Sequence, residues 1–399
     1  MNSSVIEFIF FKYLLLLSFI IPGIYLINNK VSNRKYWGII SPSIIIYSLM
    51  EGLRWMRGTD YIYNYDIANL RQFSRDVFYD FIAYALNSMN FPFYVFFILI
   101  SFTLIFSLSY LILDFKKAFL FCMILMYAFS MGQSENLMRQ YFAITFLIIS
   151  VKLFNEFSFK SSLVVFILGV LSHSSIIIIL PFIALFILLK LKNKLTVFVL
   201  NNLKFIALFL YFSCLIFSDK ISSIVNNFNL SDYFLGSTNL DTNQKYLTDD
   251  YVSSMSKITD VKIESQSLIF VFRRFYRSIV IIIFGFDIIL PVTGINFNSN
   301  AKFFIIKDSK ILIFYLLSLF GLLLPFFIPN NLESEVISRV TLYFEIWIYF
   351  IEGLIFYKYL TNVNHFNSIY FILLFLLLLE CIWVFNIYDS PLGYQFIWN

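Results

Sequence analysis

The residues with the clearest chemical potential are arginines that lie beside apolar segments. Arg54 and Arg57 are one helical turn apart in RWMRGTDY, where the second apolar segment ends. Arg273, Arg274 and Arg277 fall within five residues in VFRRFYRS, with no acidic residue between them. A guanidinium keeps its charge, and its planar fork fits phosphate or carboxylate oxygens. Because clustered cations repel unless an anion lies among them, the spacing favours an anionic, phosphate-bearing ligand.

The composition indicates which elements position these arginines. Of the 399 residues, 60% are apolar and only 13% are charged, whereas about a quarter of an ordinary soluble domain is charged. We therefore expect an all-α polytopic membrane protein, with residues 1–399 forming a single transmembrane domain. Cys122, Cys214 and Cys381 lie inside apolar runs without a CxxC spacing and are expected to be buried free thiols.

Apolar runs of about 20 residues, long enough to cross a bilayer, predict about twelve transmembrane helices. They lie near 5–27, 36–56, 91–113, 118–132, 138–154, 160–173, 175–190, 196–218, 267–290, 311–329, 338–358 and 368–388. The first run lacks a basic leader and a small-residue cleavage site, so it is expected to be retained. LSHSS, at 171–175, interrupts the stretch 160–190, which is interpreted as two short crossings because only then do the lysine-rich loops share one side.

Lysine-rich loops set the predicted orientation. Short cytoplasmic loops collect Lys and Arg, which predicts a cytoplasmic position for NNKVSNRKY, DFKKAF, VKLFNEFSFKS, LKLKNKL, FNSNAKFFIIKDSK and YKYL. Both termini then lie outside. The amphipathic stretch 61–90 is predicted to be an external interfacial or re-entrant element, and the polar stretch 219–266 an external loop.

In this topology the arginines separate from the lysines. Nine of the ten arginines fall outside or in outer helix halves, namely Arg54, Arg57, Arg71, Arg75, Arg139, Arg273, Arg274, Arg277 and Arg339. The outer face is therefore predicted to bind an anionic ligand. The alternative is that each arginine pairs with a nearby acid: Asp60 with Arg57, Glu135 with Arg139, Asp76 and Asp80 with the Arg71 and Arg75 face, and Glu335 with Arg339.

Titratable side chains on the predicted external side are candidates for acid–base chemistry. His173 and Asp60 are the external candidates, with Glu333 and Glu335 behind them. An imidazole accepts a proton at neutral pH, and the serines around His173 can orient it. The alternatives stay open, since His173 can instead cap the break between two helices and Asp60 can instead orient Arg57.

No metal or other cofactor is expected. The external sequence carries no DxD pair and no His/Asp cluster with ligand spacing. Fixed guanidinium groups can supply the positive charge that a metal ion would otherwise provide.

Four stretches resemble the EpsG family within the broader Wzy polysaccharide polymerases. They are LRWMRGTDYIYNY (53–65), SENLMRQYFAITFLIISVKLF (134–154), FKSSLVVFILGVLSHSSIIIILP (159–181) and SRVTLYF (338–344). The family motifs fall on Arg54 with Gly58, Thr59, Asp60 and Tyr61, on Arg139 with Gln140 and Ala143, on His173, and on Arg339 with Tyr343. The resemblance spans nearly the whole chain.

The resemblance implies a membrane-embedded glycosyltransferase of the C type in the bacterial plasma (inner) membrane. Its substrate would be undecaprenyl-diphosphate-linked oligosaccharide, polymerised at the external face into O-antigen, capsule or exopolysaccharide. His173 and Asp60 would be catalytic, the arginines would hold the diphosphate, and Tyr61, Gln140 and Tyr343 would contact sugar or orient other groups. Membrane lipids and a chain-length regulator protein are the expected partners, and no nucleic acid is expected.

Two other functions remain open at this point. An O-antigen ligase, or another lipid-linked glycosyltransferase, would share the fold and the chemistry with a different acceptor. A lipid-linked oligosaccharide flippase would also need cations for a diphosphate. Its cavity should open to both sides of the membrane, whereas these arginines lie on one side, and the pseudo-repeats expected of a flippase are not found in the sequence. A structural or receptor role would not account for arginines gathered on one side.

Overall fold

The computed structural model describes residues 3–55, 61–74, 76–129, 137–190, 199, 202–217, 275–285, 310–327, 334–361 and 395–396. These residues form mainly helices. In the first half of the chain the helices are α1 (Ser3–Asn28), α2 (Asn33–Gly52), α3 (Tyr61–Ala68), α4 (Val77–Ser88), α5 (Phe93–Ile112), α6 (Phe119–Phe129), α7 (Met138–Asn155) and α8 (Phe159–Ser172). They continue with α9 (Leu180–Lys190), α10 (Leu203–Ile216), α11 (Phe275–Gly285), α12 (Lys310–Leu323) and α13 (Ser334–Leu360).

Three 3-10 helices and two short strands complete the described residues. The 3-10 helices are Leu113–Ala118, Ser174–Ile179 and Leu324–Phe327. Strands β1 (Arg54–Trp55) and β2 (Gln395–Phe396) pair antiparallel, with Arg54 opposite Phe396. This pairing brings the end of α2 beside a segment close to the end of the chain.

The predicted crossings correspond well to helices. Each of the eleven predicted crossings from 5–27 to 338–358 overlaps with an α-helix, in some cases together with an adjacent 3-10 helix. The twelfth, 368–388, lies outside the described residues. Two helical runs, Phe10–Asn28 and Phe93–Ala128, are both long and apolar enough to span a membrane, and several shorter helices are also apolar. The number of crossings and the sides of the termini stay predictions.

One predicted loop is tighter than the sequence indicates. DFKKAF was expected to separate two crossings, but the chain turns within the 3-10 helix at 113–118, and α6 follows without a gap. The turn depends on Phe115, whose φ of −124° and ψ of 41° leave the helical region. The break at LSHSS is confirmed, since α8 ends at Ser172 and a 3-10 helix begins at Ser174.

Apolar side chains cover outward-facing helix surfaces. Along α10, Phe205, Phe209, Phe212 and Ile216 are all exposed at spacings of three or four residues, which places them on one face. Water would disfavour a continuous apolar face of this kind, whereas lipid chains accommodate it. The fold is therefore that of a membrane protein.

The interior is formed by helices that pack closely along their lengths. Trp347 on α13 is fully buried and stacks on Phe314 of α12 with ring centroids 5.3 Å apart. At the end of α2, a β-carbon at Gly52 would lie 2.2 Å from a side-chain carbon of Ile98 and 2.7 Å from its α-carbon. Only glycine therefore allows α5 to approach the end of α2 directly before Arg54. Cys122 and Cys214 are free and buried, as predicted.

The stretch 61–90 forms two short helices, α3 and α4, with a non-helical connection between them. A separate apolar cluster, centred on Tyr61, Tyr79, Phe96 and Phe142, joins them to α5 and α7. The hydroxyl of Tyr79 donates a hydrogen bond to Oδ1 of Asn64 at 2.9 Å, which ties α4 to α3. This packing fixes the connection that carries Asp76.

Candidate functional site

The carboxylate of Asp76 is the centre of a polar cluster at one end of the bundle. Its Oδ2 accepts a hydrogen bond from Nη1 of Arg139 at 3.0 Å, and its Oδ1 lies 3.2 Å from Nδ1 of His173. The Asp76 side chain is only 8% exposed, so both contacts are made away from bulk water. A buried carboxylate of this kind requires such partners because its charge is costly to desolvate.

Aromatic packing holds Asp76 in this position. Asp76 directly precedes α4, whose second and third residues, Phe78 and Tyr79, both contact Phe142 of α7. The rings of Phe78 and Phe142 are 8° from parallel, with centroids 6.0 Å apart. Although Asp76 is the N-cap residue of α4, its side chain makes no capping hydrogen bond. The carboxylate is directed instead towards Arg139 in the first turn of α7 and His173 at the end of α8.

Arg139 occupies an electrostatically unfavourable position unless an anion is present. It is the second residue of α7, where the helix dipole places partial positive charge. The carboxylate of Asp76 offsets both the dipole and the guanidinium charge. The guanidinium carbon also lies 4.8 Å from the centroid of the Tyr63 ring on α3, which adds a cation–π contact.

His173 is the residue between α8 and the following 3-10 helix, and its backbone is extended, with φ of −166°. Its backbone N–H donates to the carbonyl of Gly169, so His173 does close α8, as the structural alternative proposed. Its side chain does more, because the ring contacts Asp76 through Nδ1 and Gln140 through Nε2 at 3.3 Å. The ring is 21% exposed, which leaves it accessible from outside the bundle.

These contacts favour one tautomer of the neutral ring. Nδ1 of His173 donates to the Asp76 carboxylate, which leaves Nε2 as the acceptor of the Gln140 amide N–H. The Oε1 of Gln140 is buried and has no hydrogen-bond partner among the described residues. A rotation of the amide by 180° would present that oxygen to a protonated Nε2. Gln140 can therefore pair with the ring in both protonation states.

A second layer connects His173 to α13. Ser175 Oγ lies 2.6 Å from the hydroxyl of Tyr343, which is buried. Arg339 precedes Tyr343 by one helical turn on the same helix. Tyr343 is enclosed by protein, so of its two predicted roles, sugar contact or orientation of other groups, the geometry supports orientation.

Two further predicted residues lie near this end but are engaged elsewhere. The side chain of Arg54 is 2% exposed and its Nη1 lies 2.9 Å from Oε2 of Glu51. Tyr61 is 1% exposed, and its ring stacks on Phe97 with centroids 5.3 Å apart. Tyr61 therefore belongs to the aromatic packing that supports the cluster, and orientation is again the role that fits.

Arg277 lies apart from the cluster. Its Nε is 3.0 Å from Oε2 of Glu352, a fully buried carboxylate, and its guanidinium carbon lies 5.0 Å from the Tyr349 ring centroid. Glu352 follows Tyr343 by nine residues on α13, which corresponds to about 13 Å along the helix axis. The fold does not bring Arg277 to Arg139.

Several predicted site residues fall outside the part of the chain, or the side chains, that the structure describes. Arg57, Asp60, Arg273 and Arg274 lie outside the described residues, and so do Glu135, Arg75, Glu333 and the external loop 219–266. Arg339 is placed by its backbone alone.

Some acid partners proposed from sequence proximity differ from those observed. Asp76, expected beside Arg71 and Arg75, is paired with Arg139. Arg71 lies 3.5 Å from Asp66, while Asp80 accepts hydrogen bonds from the backbone and the hydroxyl of Ser74. The reason is that the turn after α3 directs the Asp76 side chain inward, towards the start of α7.

Asp76 is the functional candidate that sequence reasoning did not single out. It was considered only as a partner for surface arginines. The sequence does contain one signal. Asp76 precedes the run VFYDFIAYAL, where an N-cap residue is expected, but Asp80 already offers a carboxylate near that helix start, which leaves the Asp76 side chain available for another role.

Within the described residues, no group of three or more His, Cys, Asp or Glu side chains is arranged to hold a metal ion.

The helical bundle with apolar outer faces and a polar cluster at one end defines a helical membrane protein with a candidate active site. A model of the EpsG family matches residues 37–397. Since this match covers nearly the whole chain, the protein belongs to the EpsG family, and the resemblance found in the sequence is confirmed. Membership supports a general role in polysaccharide polymerisation. Neither the curated proteins nor the solved structures contain a match to the chain.

Proposed function

We propose that the protein polymerises undecaprenyl-diphosphate-linked oligosaccharide repeat units at the outer face of the bacterial plasma membrane. Family membership supports the polymerase chemistry. The observation that carries the residue assignment is the Asp76–His173 contact, with Arg139 on the same carboxylate. A proton acceptor and a fixed cation are the two groups that such a transfer needs.

In the proposed reaction, a sugar hydroxyl of one lipid-linked unit attacks the anomeric carbon of the other chain. The new carbon–oxygen bond forms as the bond from that carbon to the diphosphate breaks. The electron pair leaves with undecaprenyl diphosphate, and the hydroxyl proton passes to Nε2 of His173. The acceptor hydroxyl takes the place of Gln140 at Nε2, and Gln140 Oε1 then accepts the new N–H.

Each remaining group has a positioning or electrostatic role. Asp76 holds Nδ1–H of His173 and stabilises the imidazolium that forms, as a carboxylate does in other histidine-based sites. Arg139 is 27% exposed, so part of its guanidinium faces outward and can meet the charge that gathers on the diphosphate. Arg57, Arg273, Arg274 and Arg339 remain proposed diphosphate ligands on the sequence pattern alone.

The test is reconstitution. The purified protein in liposomes is given undecaprenyl-diphosphate-linked repeat units from its own host, and the products are separated by size. The proposal predicts a ladder spaced by one repeat unit. A single transfer to a different acceptor would indicate a ligase, and movement of intact substrate between leaflets without new bonds would indicate a flippase. Either result would contradict the proposed function.

A further inference from the structure

A cavity with polar and apolar lining residues lies at the opposite end of the bundle from the Asp76–His173 cluster. It has a volume of about 500 Å³ and is lined by Lys30, Lys116 and Lys117 together with Asp114 and apolar groups. We call it the lysine cleft. The proposed polymerase reaction uses none of these residues.

The path of α7 establishes the separation of the two sites. Gln140 is in its first turn and Lys152 is in its last turn, which places them about 18 Å apart along the axis. Nζ of Lys152 lies 3.6 Å from Asp114 Oδ2 at the cleft. The lysine cleft is therefore a distinct site, remote from the candidate base.

Three lysines, Lys30, Lys116 and Lys117, line the lysine cleft. Nζ of Lys116 donates a hydrogen bond to the carbonyl of Val31 at 2.8 Å. Because Val31 directly follows Lys30, this contact brings the Lys116 ammonium group close to the Lys30 backbone. Lys117 is the next residue in the same 3-10 turn. Among the described residues, none of these three lysines forms an ion pair with an acid. Their positive charges therefore favour an anion in the cleft.

The aspartate in the cleft does not neutralise them. Asp114 is 3.6 Å from Lys152, whose side chain is only 2% exposed and which also donates to the carbonyl of Tyr110. Lys152 is thus a buried cation that the Asp114 carboxylate balances from the cleft side. Subtracting that pair leaves the charges of Lys30, Lys116 and Lys117 facing the cavity.

Close helix packing makes the cleft a fixed feature of the fold. Leu354 and Tyr357 of α13 form one wall. The preceding residue, Gly353, packs so closely on α6 that a β-carbon there would lie 2.7 Å from the α-carbon of Cys122. This contact sets the spacing between α13 and α6, and the lysine-bearing turn directly precedes α6.

We propose that the lysine cleft binds the phosphate group of an anionic ligand. Lysine ammonium groups are strong phosphate partners. A cleft with net positive charge and apolar walls concentrates anions, and basic pockets between transmembrane helices bind phospholipid headgroups. The volume admits a headgroup or a small phosphorylated molecule. The opposing interpretation is that these lysines only orient the protein in the membrane, which does not require them to line a cavity.

The test measures thermal unfolding of the full-length protein in neutral detergent with three additions: phosphatidylglycerol, phosphatidylcholine and inorganic phosphate. The cleft variant is Lys30→Gln/Lys117→Gln, which spares the Lys116 hydrogen bond to Val31. The matched control is Lys160→Gln, because Lys160 is exposed at the same end and does not line the cleft.

The proposal predicts that phosphatidylglycerol raises the Tm of the wild type by roughly 3–6 °C over phosphatidylcholine. The cleft variant should lose most of that shift and the control should keep it. A cleft-dependent shift with inorganic phosphate as well would point to a soluble phosphorylated ligand. The proposal is overturned if no phosphate-bearing probe shifts the Tm, or if the cleft and control variants respond alike.

Discussion

Nδ1 of His173 lies 3.2 Å from Oδ1 of Asp76, although 97 residues separate them in the chain. The other oxygen of the same carboxylate lies 3.0 Å from Nη1 of Arg139. One buried anion therefore fixes the orientation of a candidate base and of a candidate diphosphate-binding cation. Displacement of Asp76 would disturb both groups together.

Asp76→Asn should lower kcat for polymerisation by about 10²-fold or more, because the amide no longer stabilises the imidazolium or selects its tautomer. KM should change much less, since the remaining side-chain oxygen of the asparagine can still accept the hydrogen bond from Arg139. Initial rates over a range of substrate concentrations separate the two parameters. The control is Asp66→Asn, whose partner Arg71 is largely exposed. An unchanged kcat in folded Asp76→Asn would rule out the positioning role.

Arg139→Lys should weaken substrate binding even though the charge is kept. A lysine ammonium cannot reproduce the planar fork that holds Asp76 while still facing outward, nor the stacking on Tyr63. The expected result is a rise in KM of about tenfold, with a fall in kcat/KM of at least the same size. Arg71→Lys, near the same end, serves as the control and should behave as wild type. Equal kinetics in Arg139→Lys and wild type would show that the guanidinium shape is not required.

The sequence predicts most of the helical architecture because apolar length decides it. Runs of about 20 apolar residues form helices wherever the backbone must satisfy its own hydrogen bonds. The break after Ser172 was also readable, since LSHSS interrupts a continuous apolar run. The tight turn at Phe115 was not, because nothing in DFKKAF distinguishes a 3-10 turn from a loop.

The site was only partly predictable. His173, Arg139 and Gln140 were found through motifs, and the structure brings these three together. Asp76 was missed because its partners come from α7 and from the end of α8, and sequence proximity suggested Arg71 and Arg75 instead. The pairing of Arg277 with Glu352 was equally hidden, since 75 residues separate them. Long-range ion pairs depend on helix packing, which residue spacing does not reveal.

The Arg277–Glu352 pair should contribute to stability. Glu352→Ala leaves the Arg277 cation, which is 12% exposed, without its carboxylate, and this should cost about 3–5 kcal/mol. Arg277→Met/Glu352→Leu removes both charges and should restore most of the lost Tm, as measured by thermal unfolding. If the double variant is as stable as wild type yet inactive, Arg277 acts on substrate and the structural assignment is wrong.

Polymerisation should survive EDTA. The proposed mechanism assigns charge stabilisation on the diphosphate to guanidinium groups such as that of Arg139, which chelation does not affect. The measurement compares ladder formation with and without EDTA at constant ionic strength. Loss of the ladder on chelation, with recovery on adding magnesium or manganese, would show that a divalent cation takes part.

His173→Ala tests whether the imidazole of His173 is the catalytic base. The variant is reconstituted in liposomes beside wild type and Ser174→Ala, an exposed neighbour on the same break, and each receives the same undecaprenyl-diphosphate-linked repeat units. We expect full ladders for wild type and Ser174→Ala, and a rate at least about 10²-fold lower for a folded His173→Ala. A ladder of ordinary length and rate from His173→Ala would show that the base lies elsewhere and would contradict the proposed mechanism.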